Sequence, residues 1–265
     1  MTLYADLFRY RDLFLNLFRR ELRVKYRGSI LGLGWTLINP IALMLGYWLL
    51  FSILLRVQIE NFPLFVLSGL VTWIFFQGTL QMACTSLLGY ASLVKQVRFP
   101  RQLLPLSVVG SNLVTAGVML LVALTLNLIV VPESRTTFWA ALPLLVPLVA
   151  FVAGLAIVIA CITVRFRDIE HLLTTIFLPW FVLTPIFYTL DSTTLPGIAE
   201  HPHVADVLYY GNVIAPFVEA IRDPLFFGQW PRAIDVVYVS VAALVALAVA
   251  AVVFRRVDDQ LAAQL

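Results

Sequence analysis

Uncharged residues in this chain fall into long blocks separated by short charged ones. Six blocks stand out, at 28–55, 61–94, 102–132, 136–164, 172–190 and 236–254. About 20 apolar residues cross the hydrocarbon core of a bilayer, so each block predicts a membrane-spanning helix. Ahead of the first, residues 3–24 carry a different rhythm. Leu3, Leu7, Tyr10, Phe14, Phe18 and Leu22 recur every three to four positions, while Arg9, Asp12, Asn16, Arg19, Arg20, Arg23 and Arg27 recur on another face. That periodicity predicts an amphipathic helix lying in the membrane surface. The expected fold is therefore an all-α integral membrane protein, a single membrane domain over 1–265 with six spans.

The change from surface helix to membrane is abrupt. Arg19, Arg20, Arg23, Lys25 and Arg27 are followed by a run without charge from Gly28 to Leu55. Each such cation costs roughly 2.5–3.5 kcal/mol at the centre of a span, so the bilayer starts at Gly28. Basic residues also set the orientation: fourteen Lys and Arg lie before Gly28, in 95–101, in 165–171 and after Phe254, against Arg56, Arg135, Arg222 and Arg232 on the other side. The positive-inside rule puts both termini in the cytoplasm.

Three connections carry further signals. Lys95-Gln96-Val97-Arg98-Phe99-Pro100-Arg101 is basic and offers an aromatic beside a proline, the composition of a short helix fitted to a partner's groove or of an ordinary inside loop. Arg165–His171 mixes charges, as in a salt-bridged cytoplasmic turn. The outer stretch 191–235 is mainly acidic and contains an amphipathic segment, 212–223, with Glu219 and Arg222 at ion-pair spacing, suited to a re-entrant element. Pro179 and Pro185 are expected to kink the fifth span and to free carbonyls towards a cavity.

Composition narrows the function. With 61% hydrophobic and 12% charged residues the chain cannot be an ordinary soluble domain, and no secretory leader is expected ahead of it. A net charge of +3 is too small to point to nucleic acid. Cys84 and Cys161 sit in uncharged blocks and read as small buried apolar residues. No ionisable residue stands at mid-span, which argues against a proton-coupled carrier. Lys25 and Lys95 lack the glycine-rich lead of a phosphate-binding loop, so ATP, if used, binds another chain.

The N-terminal basic helix, Tyr26-Arg27-Gly28-Ser29 with Trp35 and Asn39-Pro40, Val97-Arg98-Phe99-Pro100-Arg101, Arg165-Phe166-Arg167-Asp168-Ile169, Thr184-Pro185-Ile186-Phe187-Tyr188 and the segment 212–222 resemble, in that order, type-2 ABC exporter permeases. The branch is the one exporting lipid-linked polysaccharides and teichoic acids. The resemblance implies a homodimer in the bacterial inner or plasma membrane, with two ATP-binding cassette subunits holding ATP and Mg, and no cofactor or metal in this chain. It makes 1–27 a cytoplasmic interface helix, 28–254 the six-helix membrane domain, 95–105 the coupling loop, 191–235 the external gate region and 255–265 a cytoplasmic tail. Arg98, Phe99, Pro100, Arg101, Arg167 and Asp168 become coupling residues, and Asn212, Pro216, Glu219 and Arg222 belong to short gate helices between spans five and six.

A sugar polymer needs aromatic faces and sparse hydrogen-bonding groups rather than fixed charge. Trp35, Asn39, Tyr47, Trp73, Phe76, Gln77, Trp180, Phe187 and Tyr188 supply that inventory, although aromatic belts and helix packing use the same residues. The lipid's pyrophosphate is expected to meet Arg19, Arg20, Arg23, Lys25 or Arg27 at the inner entrance. Three other readings stay open: a type-2 permease for a drug or small lipid, a membrane-embedded glycan-processing enzyme using Glu200, Asp206 and Glu219, and a structural scaffold.

Overall fold

A computed structural model describes residues 10–29, 32–54, 59–97, 99–190 and 202–264. Among them helices are the only regular elements. The surface helix α1 (Arg11–Tyr26) buries Leu17 and turns Phe18 towards Gly110 of a later span. Residues 3–9 of the predicted amphipathic stretch lie outside the described residues. Gly28 and Gly32 then take positive φ of 73° and 48°, which only glycine adopts without strain. Span one is therefore not helical at 28; a 3-10 turn, Gly32–Gly34, leads into α2 (Trp35–Trp48), which continues as π-helix through Leu49–Leu54.

The centre of the bundle is α3 (Phe62–Gly89), apolar all round and the most buried span. A short helix, α4 (Ala91–Gln96), leads into α5 (Leu103–Val130). Next come two 3-10 turns and α6 (Ala141–Arg165). The last span, α10 (Ala233–Gln264), packs along α6 so closely that a Cβ on Gly154 would lie 2.6 Å from the Ala246 carbonyl carbon. Small residues at such a crossing let dispersion act between backbones, the main glue available where lipid removes the hydrophobic drive.

Among the described residues, five helices are long and apolar enough to cross a membrane. The remaining predicted span, 172–190, is shorter than expected. Its helix, α7 (Ile169–Leu183), stops where Thr184 turns extended ahead of Pro185. A residue before proline is pushed out of the α region, so Pro185 ends this helix, whereas Pro179 lies within it. Beyond, α8 (Pro202–Tyr210) and α9 (Ala215–Arg222), the latter prolonged as π-helix Asp223–Phe227, meet at 90°. Such a bent pair is a broken span or a re-entrant loop.

The chain thus alternates between two ends. One, the basic end, holds α1, α4, the α6–α7 turn and the end of α10; the far end holds α8 and α9. A large core cluster centres on α3, and a second cluster at the basic end joins Leu17, Tyr90, Leu103 and Phe254. Cys84 and Cys161 are buried free thiols, Cys84 paired with the Thr163 hydroxyl at 3.0 Å.

Candidate functional site

At the basic end α1 divides its cations between two faces. Arg19, Arg20, Arg23 and Arg27 line an open groove of about 910 Å³. Arg20 also stacks on the Tyr90 ring, 4.4 Å away, and the Tyr90 hydroxyl donates to Glu21. Burial, together with that carboxylate, raises the Tyr90 phenol well above its ordinary range. Lys25 turns the other way. Its Nζ donates to Asn112 Oδ1 at 2.9 Å and Thr115 Oγ1 at 2.8 Å, while the Tyr26 hydroxyl lies 3.1 Å from the same Thr115 oxygen. Burial lowers the Lys25 ammonium to about 8.

Lys25 faces a cavity of about 570 Å³ between α1, α2, α3 and α5, with Trp35, Asn39 and Gln81 on its walls. A second cavity of about 350 Å³ adjoins it and shares Asn39, Ile74, Gly78 and Gln81. Trp73 and Gln77 belong to this second space, joined by a Trp73 Nε1–Gln77 Oε1 bond of 2.7 Å. Neither cavity has a carboxylate among its described lining residues.

The other aromatic residues named from the sequence pack inside the subunit. Phe76 is wholly buried against Phe151, Phe177 and Trp180. Phe187 is buried with Tyr47 stacked on it at 4.2 Å. Tyr188 donates to the Leu183 carbonyl at 3.0 Å, closing the broken end of α7.

The far end is built around that break. Asn212 receives the Trp180 indole N–H at 2.8 Å and gives its own N–H to Thr184 Oγ1 at 2.9 Å. Pro216 opens α9 in its first turn, where no amide proton is required. Arg222 is completely buried: Nη1 donates to the Pro185 carbonyl and to Glu219, both at 2.8 Å, and Nη2 donates to the Ile186 carbonyl at 3.0 Å. The guanidinium lies 4.1 Å from the Phe65 ring centre and occupies the space a side chain at Gly69 would need. The Pro185 and Ile186 carbonyls, beyond the end of α7, thus find their donor on α9.

In the loop after α4, Phe99 is half-buried against the basic-end cluster, beside half-buried Pro100 and Arg101, while Arg98 lies outside the described residues. Arg167 and Asp168 are exposed in the turn before α7. Glu200 lies outside the described residues, and Glu219 is held by Arg222. Sequence reasoning missed Asn112, Thr115 and Gln81. A signal existed: Ser107, Ser111 and Thr115 form an i, i+4, i+8 polar stripe on an otherwise apolar span, with Asn112 beside it.

Residues 12–226 match the family described as ABC-2 type transporter. The chain is 36% identical over 193 residues to the O-antigen export system permease protein RfbA of Myxococcus xanthus, covering 72% of this chain and 74% of that protein. A protein of the same description from Klebsiella pneumoniae is 29% identical over 187 residues, 68% of this chain and 70% of its own length.

Proposed function

The chain belongs to the ABC-2 type transporter family, and on that premise we propose that it is the membrane subunit of an ATP-driven exporter of a lipid-linked polysaccharide. Its role is transport, with nucleotide bound and hydrolysed on a separate ATP-binding subunit. The observation that carries the substrate is the order of linings at the basic end, cations on one face of α1 and then indoles and amides in two adjoining cavities on its other face. Tyr26 is common to the arginine groove and the Lys25 cavity, and Asn39 and Gln81 are common to that cavity and the one at Trp73. An anionic lipid head meets the cations first, and sugars following it meet indoles and amides without a carboxylate to repel them. The names of the relatives agree with that chemistry.

In this reading the basic end faces the cytoplasm of a bacterial inner or plasma membrane, and α8 and α9 form the external gate. The loop containing Arg98, Phe99, Pro100 and Arg101 receives the motion of the ATPase, with Arg167 and Asp168 nearby on the same side. Two copies of the chain and two ATPases make the working unit. The nearly unburied first span, which presents Leu45 and Trp48 of α2 and Leu50 of its π-helical continuation outward, supplies apolar surface for the second copy.

The test is purification of the native complex from mild detergent, followed by ATPase and export assays. The expected result is a stoichiometric ATP-binding subunit, and a Phe99→Asp variant that still assembles but hydrolyses ATP without exporting glycan. A pure, folded preparation with no such subunit, or normal coupling in Phe99→Asp, overturns the reading.

A further inference from the structure

The Lys25 cavity is more specific than an electropositive entrance requires. Diffuse attraction of an anion is already provided by the four arginines in the groove on the opposite face of α1. Lys25 instead leaves that set and is held by two neutral acceptors, Asn112 Oδ1 and Thr115 Oγ1. An ammonium has three N–H donors. With two engaged by neutral groups, the third and the whole positive charge remain for an acceptor in the cavity.

Around that charge the walls change character over a short distance. Trp35 presents an indole, and Asn39 and Gln81 present side-chain amides for which no hydrogen bond is found among the described residues. A volume of about 570 Å³ accommodates one pyranose with a phosphate. Indole faces suit the CH surface of a sugar ring, and amides pair with vicinal hydroxyls through both donor and acceptor. A simple phospholipid head offers the anion without the ring, leaving both amides unspent.

We propose that this cavity is a binding site for a glycosyl phosphate, the phosphate on Lys25 and the attached sugar ring between Trp35, Asn39 and Gln81. It rests on the exporter reading for its biological source, the junction between lipid and glycan, and names the part of the cargo recognised there. Lys25, Asn112 and Thr115 select the charge, and Asn39 and Gln81 select the first sugar. The arginine groove selects neither.

The test titrates the detergent-purified complex of this chain with its ATPase by native mass spectrometry. Four probes are used: a polyprenyl phosphate bearing one hexose, the same polyprenyl phosphate without sugar, free hexose 1-phosphate, and phosphatidylglycerol. The glycosylated lipid is expected to bind at least tenfold more tightly than the bare polyprenyl phosphate or phosphatidylglycerol, and hexose 1-phosphate is expected to compete with it. Lys25→Gln should lower binding of both sugar phosphates at least tenfold. Because that change also loosens α1, Gln81→Leu is the second variant; it leaves α1 untouched and should reduce the glycosylated lipid to the level of the bare one. Equal binding of all three lipids, or wild-type binding by Gln81→Leu, overturns the proposal. Equal binding of the three lipids by a wild-type complex that exports glycan refutes this site alone. Absence of an ATPase partner refutes the exporter reading, and the same titration on the isolated chain still judges the cavity.

Discussion

Two cations, Lys25 and Arg222, are drawn inward at opposite ends of the bundle, and the protein uses them differently. Arg222 is sealed: its terminal nitrogens are spent on Pro185, Ile186 and Glu219, an aromatic ring covers its face, and no water-sized route is left to it. Lys25 is tethered by two neutral oxygens beside an ample space. A sealed charge acts as a rivet, since removing one member of a buried network strands the others. A tethered charge remains available to a ligand. Position in the fold, more than residue type, makes the first structural and the second chemical.

The sharpest way to break this contrast is Arg222→Met. Two carbonyls and Glu219 lose their donor, and about 3–5 kcal/mol of stability should go with them. Thermal unfolding of the purified complex should fall, and protease should cut the α8–α9 region faster. An unchanged melting curve would show that the far end is not riveted. Gly69→Ala probes the same rivet from α3, because the new Cβ competes with the guanidinium. A cost of about 1–3 kcal/mol is expected from overpacking, and it should shrink sharply in the Arg222→Met background. Simple additivity would place the conflict elsewhere.

Much of this was legible in advance. The surface helix, the central spans and the far-end amphipathic segment follow from apolar spacing, and the Glu219–Arg222 pair from its i, i+3 placement. The prolines announced a defect in span five, but not that Pro185 ends the helix and Pro179 does not. Long-range pairing was hidden. Lys25 meets Asn112 and Thr115 across 87 and 90 positions of sequence, and in the linear chain it is one more member of a basic run. Aromatic residues were ambiguous for the opposite reason. Phe76 and Phe187 have the composition of a sugar path, yet helix packing claims both rings, because burial depends on which helix face meets the core.

At the basic end the expected effects are smaller. Tyr90→Phe removes the hydroxyl bond to Glu21 and should cost about 1 kcal/mol, read as faster hydrogen exchange in α1 with little change in overall melting. Equal exchange in both proteins would discard Tyr90 as an anchor. Lys25 gives a pH signature. Burial lowers its folded pKa to about 8 from 10.5, so the folded state disfavours the proton, and docking of α1 gains stability as pH rises through that interval. Anion binding runs the other way. The cavity's other ionisable lining group is the Tyr26 phenol, and its described lining has no carboxylate, so affinity for hexose 1-phosphate should fall about tenfold between pH 7 and 9. A flat profile would assign the binding to the arginines.

The early stop of α7 has one more consequence, for the bilayer itself. Fifteen helical residues rise about 22 Å, where the hydrocarbon slab measures about 30 Å. Its neighbour α3, with 28 residues, reaches the full thickness. In the exporter reading, lipid in contact with α7 would meet a shorter helical wall than at α3 and would thin or tilt to match it. Export rates in vesicles of graded acyl-chain length should accordingly decline as the chains lengthen.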